Sequence, residues 1–230
     1  MTTAWPLPAR IRGVLRRPRA TFEALADAPR SADVLAAAFL VSVFATALVL
    51  ETETGELALL DQLERTAAAF GEPVDEAQYG MLQDISANGT AYAVVTSLVS
   101  GPLLAVGVSA ALVAWGQTPT FRQVLSVASH AGVILALRQL IAAPLTYARE
   151  TMASPLTLGI FFALLDEGSP MARFAGMVDL FVIWWIVVLA IGISVLYERP
   201  AARLAIVLAG IYVLLAALVA LAVAITGGAA

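Results

Sequence analysis

The chain has no cysteine and no lysine, a single histidine, and charged residues at only 13% of its 230 positions. Without cysteine there is neither a disulfide framework nor a thiolate metal site. One histidine removes imidazole-rich metal centres as well, so no metal or cofactor is expected. The motifs that carry common chemistries are missing: there is no His-Glu-x-x-His, no Walker phosphate loop and no Gly-x-Ser-x-Gly. Nothing in the pattern indicates nucleic-acid binding. A soluble domain carries roughly 25% charged residues. The low charge here, with 60% hydrophobic residues and a mean hydropathy of +0.88, marks a polytopic membrane protein.

Five apolar runs are long enough to span, at about 34–50, 91–115, 124–147, 174–197 and 204–226. A helix needs roughly 17–25 residues to cross the hydrocarbon layer. Helices are expected because backbone amides find no water at that depth. Transmembrane β-strands would alternate over ~10-residue segments, and these runs are continuous. The expected fold is therefore all-α, with five transmembrane helices in a bundle. No cleavable signal peptide is visible, so the first span is expected to act as an uncleaved anchor.

All 13 basic residues are arginine, a compositional habit of GC-rich bacterial genomes. Nine of them (Arg10, Arg12, Arg16, Arg17, Arg19, Arg30, Arg122, Arg199 and Arg203) fall on one side of the spans. Arg65, Arg149 and Arg173 fall on the other, and Arg138 lies inside span three. The positive-inside rule then places the N-terminus in the cytoplasm and the C-terminus outside a bacterial inner membrane.

Residues 1–32 form a basic segment ahead of the five-helix domain, 33–230. Within it, Ile11, Val14, Leu15, Phe22 and Leu25 lie among arginines. Such a segment can lie on a membrane with its arginines toward anionic headgroups, or serve only as a topology signal. Residues 51–90 hold nine acids and one arginine. Leu57, Leu60, Leu63, Ala67 and Phe70 recur at helical spacing, Gly71 and Pro73 break the pattern, and a second helix is expected from Asp75. This reads as a helical hairpin on the outer surface. Leu156 to Leu165 is too short to cross and reads as an interfacial or re-entrant helix. Gly101-Pro102 should kink span two.

Three ionisable groups lie within the expected spans: His130 and Arg138 on span three, and Asp179 on span four. A lone Asp or Arg at a helix centre costs about 2.5–3.5 kcal/mol on translocon scales. Asp179 lies ~9 Å along a helix from the outer end of span four, and Arg138 lies near the outer end of span three. Shared depth and opposite sign suggest that they pair. Gln123, Ser126, His130, Ile134 and Arg138 fall on one side of span three, a stripe that could face a polar cavity. Small residues on span two (Ser97, Gly101), span four (Gly176, Ala190, Ser194) and span five (Ala216, Ala220, Ala224) permit close helix packing within one bundle or between copies.

Several stretches in order along the chain resemble the Yip-domain family (Ypt-interacting proteins) in its bacterial branch. They are Pro18-Arg19-Ala20-Thr21-Phe22 before span one, Thr120-Phe121-Arg122-Gln123-Val124-Leu125 at the start of span three with Ser129-His130-Ala131 beyond, and Asp179-Leu180-Phe181-Val182-Ile183-Trp184 in span four. The resemblance implies a five-helix membrane protein without a known catalytic activity. Eukaryotic relatives are associated with Rab GTPases, but their Asp-Leu-Tyr-Gly-Pro motif is absent here, and Rab binding is not carried over. Some bacterial relatives are accessory to ABC transporters. Two function classes lead, ahead of a third, a lipid-handling enzyme for which no site is visible. One is a non-enzymatic membrane scaffold or accessory protein, in contact with lipids and a membrane protein such as an ABC transporter, or with copies of itself. The other is a small transporter or channel built on His130, Arg138 and Asp179.

Overall fold

The computed structural model describes residues 5–69, 75–115, 119–152, 154–162 and 169–226. In chain order its helices are α1 (Leu7–Arg16), α2 (Pro18–Asp27), α3 (Ala32–Leu50), α4 (Glu53–Ala69), α5 (Glu76–Ser86), α6 (Gly89–Leu98), α7 (Leu104–Trp115), α8 (Phe121–Ala131), α9 (Val133–Arg149), α10 (Pro170–Met177), α11 (Leu180–Tyr197) and α12 (Ala201–Thr226). Among the described residues there is no β-sheet, only one isolated antiparallel bridge between Thr157 and Asp179. Among the described residues, five helices are long and apolar enough to cross a membrane: α3, α6 continuing into α7, α8 continuing into α9, α11, and α12. The protein is an all-α polytopic membrane protein. Its contacts divide it into two compact units: Met1–Ser42, Thr96–Arg138 and Phe181–Gly210 form the first, and Val43–Val95, Gln139–Leu180 and Ile211–Ala230 the second.

In the first unit, the N-terminal segment forms two helices, α1 and α2. Pro18 opens α2 at a position where its missing N–H is not needed. It also drives the preceding residue out of the helical region, and Arg17 adopts φ −141°, ψ 61°. The chain therefore breaks there. The apolar residues that could have faced lipid are used internally. Val14, Phe22 and Leu25 are buried in a core shared with Val124, Val127, Ile134, Leu189 and Ile193, and Trp185 packs on its edge. Phe22 reaches this core because Gly192 of α11 lacks a Cβ. A methyl there would overlap Val127 Cγ1 and come within 3.2 Å of the Phe22 ring.

At Gly101-Pro102, where a kink is expected, the helix takes a π-helical turn, Val99–Leu103, between α6 and α7. The wider turn takes up the proline, which has no donor and crowds the preceding turn of a regular helix. At the start of α8 a reciprocal cap forms. The Thr120 hydroxyl accepts from the Gln123 N–H (3.4 Å), and the Gln123 side chain accepts from the Thr120 N–H (2.9 Å).

In the second unit, α4 and α5 pack against each other as a helical pair, as expected for residues 51–90. Asp75 and Gln78 cap α5 reciprocally. The expected break at Gly71 and Pro73 lies outside the described residues. The buried face of α4 is centred on Ala58, Leu59 and Leu60, while Leu57 is exposed. On α12, Ala216 and Ala220 are buried within the protein, so the part of this small-residue face that is described serves internal packing.

Two expectations change in this unit. Span four does not begin near Phe174. The separate helix α10 ends at Met177, Val178 is extended (φ −86°, ψ 98°), and α11 begins at Leu180. The described part of the run from Leu156 to Leu165 is not an α-helix. It holds an extended bridge residue, Thr157, and a single 3-10 turn, Leu158–Phe162, while 163–165 lie outside the described residues. The same hydrogen bonds explain both. The Leu158 N–H donates to the Val178 carbonyl (2.8 Å) and the Leu180 N–H to the Leu156 carbonyl (3.0 Å). Each segment satisfies backbone groups that the other's missing helix turn leaves open.

Close packing at Gly192 gives a first test. Gly192→Ala should destabilise the protein by about 1–3 kcal/mol, because Val127 and Phe22 must both shift. Thermal unfolding in detergent measures this, and an unchanged midpoint would show that the N-terminal helices are not held there.

Candidate functional site

The polar stripe on α8 does not face an open cavity. It faces the chain's own N-terminal segment. The Gln123 side-chain amide donates to the Ala26 carbonyl (3.1 Å). The Ser126 hydroxyl accepts from the Arg30 N–H (3.2 Å) and donates to the Arg30 carbonyl (2.9 Å). One turn further, the His130 ring meets the Arg10 guanidinium, with 3.1 Å between Nη1 and Nε2. Three residues at i, i+3 and i+7 thus clasp α1, the end of α2 and the linker that follows.

The last contact fixes the state of the histidine. His130 is fully buried, and its Nδ1 lies 2.7 Å from the Ser126 carbonyl. A carbonyl can only accept and a guanidinium can only donate. Nδ1 therefore carries the proton, Nε2 accepts from Arg10, and the ring is neutral. Both nitrogens are occupied, so neither a metal nor a substrate can be bound without displacing Arg10. Arg10 itself is only 3% exposed. It pairs with Asp33 at the start of α3 through both terminal nitrogens, and its Nε donates to the Trp5 carbonyl (3.2 Å). This arrangement orients helices. It holds no nucleophile poised next to a base, and among the described residues no group of three acidic or histidine side chains could hold a metal ion.

A second polar cluster lies in the second unit, around Asp179, which is 4% exposed. Asp179 is not inside a helix but immediately precedes α11, whose N-terminal end favours negative charge. Its Oδ2 accepts from the Ser154 hydroxyl (3.1 Å). Tyr212, from α12, bridges the break in the chain. Its hydroxyl accepts from the Asp179 N–H (2.9 Å) and donates to the Met177 carbonyl (2.7 Å). Arg138 belongs to the first unit, on α9, where it is half-buried.

A scan against family models matches a Yip1 domain over residues 12–224, nearly the whole chain. The chain belongs to the Yip1-domain family. No curated protein and no solved structure gives a match.

Within this Yip1 domain the motif positions have distinct places. Pro18 starts α2 and Phe22 enters the core. Phe121 and Arg122 are exposed in the first turn of α8, while Gln123 caps that turn and reaches Ala26. Trp184 is 36% exposed and stacks at a tilt on Phe181, with ring centroids 5.7 Å apart. Sequence reasoning missed Arg10, Asp33, Ser154 and Tyr212. Arg10 was one arginine among many, although it precedes the apolar Val14 by one helical turn, and that register was the available signal. Tyr212 stood as a lone hydroxyl in an apolar run.

Two outcomes test these clusters. Asp33→Ala should cost about 3 kcal/mol or more, because it leaves a buried guanidinium uncompensated. Arg10→Met should cost less, since the Asp33 side chain is 46% exposed and can be solvated by water. Thermal unfolding in detergent ranks the two, and the opposite order would show that Arg10 is not a buried charge. Tyr212→Phe should cost about 1–3 kcal/mol, by removing the hydroxyl that bonds the part-buried Met177 carbonyl and Asp179 amide. The same measurement reads it, with Tyr147→Phe, an exposed tyrosine, as the control.

Proposed function

We propose that this Yip1 domain is a non-enzymatic membrane scaffold or accessory protein, acting through helix–helix contacts in a bacterial inner membrane with its N-terminus in the cytoplasm. The observation that carries this reading is the use made of the α8 stripe. Gln123, Ser126 and His130 spend their hydrogen bonds on the chain's own N-terminal helices and linker. A transporter built on His130 would need water at the ring, and the ring has no exposed surface.

The surface left for work is apolar. On α12, Ile211, Leu214, Leu218 and Leu221 recur at alternating steps of three and four, and each is more than half exposed. That spacing suits a seam against another helix. The partner we favour is a membrane-embedded subunit of a transport complex, such as an ABC transporter.

The test is copurification from native membranes, with a photo-crosslinking residue placed at Leu214. An integral membrane protein that co-elutes at fixed stoichiometry, crosslinks at Leu214 and is lost on Leu214→Ala/Leu218→Ala substitution is the expected result. A chain that purifies alone with no crosslink except to lipid would overturn the reading.

A further inference from the structure

An open groove of about 380 Å³ lies in the first unit, between the linker 29–31, the start of α3 and the first turn of α8. Arg30 and Arg122 line it from separate elements. Both are exposed, and among the described residues neither guanidinium is engaged by a carboxylate. The one acid on the groove, Asp33, is held by Arg10, so its charge is answered from inside. The groove therefore carries two unbalanced positive charges, and the positive end of the α8 dipole adds to them.

The backbone that carries these two side chains is fixed. Arg30 is held at its backbone by both hydrogen bonds to Ser126. Arg122 sits in a turn locked by the Thr120–Gln123 cap. Two spans, Ala32–Leu50 and Phe121–Arg149, begin at this groove. It therefore lies where hydrocarbon gives way to water, the level at which lipid phosphates sit.

We infer that this groove is a binding site for the headgroup of an anionic phospholipid, its phosphate held between Arg30 and Arg122. The site uses no residue of α12 and does not depend on a protein partner. A guanidinium near an anionic surface contributes enough for about a fivefold change in binding per arginine. Guanidinium donors also fit phosphate oxygens in pairs.

The full chain, stripped of lipid in detergent, is titrated with phosphatidylglycerol or phosphatidylcholine, and bound lipid is read by native mass spectrometry. The expected result is preferential retention of phosphatidylglycerol. Retention should weaken about fivefold in Arg30→Gln and in Arg122→Gln, and further in the double variant. It should be unchanged in Arg19→Gln, which lies off the groove and pairs with Glu23. Because both groove arginines are exposed, thermal unfolding should not move. Arg30→Lys/Arg122→Lys keeps the charge but not the paired donors and should retain more phosphatidylglycerol than the double glutamine variant, which separates binding from any folding defect. Equal retention of the two lipids, or a double glutamine variant that binds as wild type, overturns the inference. Displacement of phosphatidylglycerol by millimolar inorganic phosphate also overturns it, because the groove would then be a site for free anions.

Discussion

The first unit depends on a buried guanidinium. Arg10 is almost fully enclosed, and a charge in that setting is tolerable only when its donors are answered. Asp33 takes two of them, His130 accepts another, and the Trp5 carbonyl takes Nε. These partners come from α3, α8 and the segment ahead of α1, so satisfying one side chain fixes several elements together. Gln123 and Ser126 extend the same clasp along α8. Phe22 completes it with apolar contact at Gly192. The N-terminal helices are consequently part of the membrane domain's core and not a loose arm ahead of it.

The second unit meets the same requirement differently. Here the unsatisfied groups are backbone ones, exposed where the chain stops being helical before Leu180. The Tyr212 hydroxyl serves one donor and one acceptor at the break, and a two-bond bridge to Leu156 and Leu158 serves one more of each. A non-helical stretch at the start of a span is tolerated when its backbone groups are answered by protein in this way. Asp179 sits at that break, and the geometry gives its carboxylate a hydroxyl partner and a helix N-terminus.

Much of this was legible from residues alone. The five spans, the α4–α5 pair with Asp75 at its second start, and the irregular turn at Pro102 follow from hydropathy, capping and proline chemistry, all of which act over a few neighbouring residues. The α8 stripe was legible as a stripe, because helical period depends only on spacing. What it faces was not, because Ala26, Arg30 and Arg10 lie some hundred positions away in sequence. Span four was misread at its start for a related reason. An apolar run from Phe174 to Tyr197 carries no sign of a break that Tyr212 and Leu156 repair from elsewhere.

The sequence by itself determined the class of molecule: apolar content and run length demand helices across a membrane, and the lack of cysteine and clustered histidine leaves no thiolate or histidine-rich metal chemistry. Only the tertiary structure decided which polar groups meet. That selected Arg10 from 13 chemically identical arginines and gave His130 a hydrogen-bond partner at each ring nitrogen. The physical reason is that burial and hydrogen-bond complementarity are properties of positions in space. Residues distant in the chain create them together, and no local pattern records the pairing.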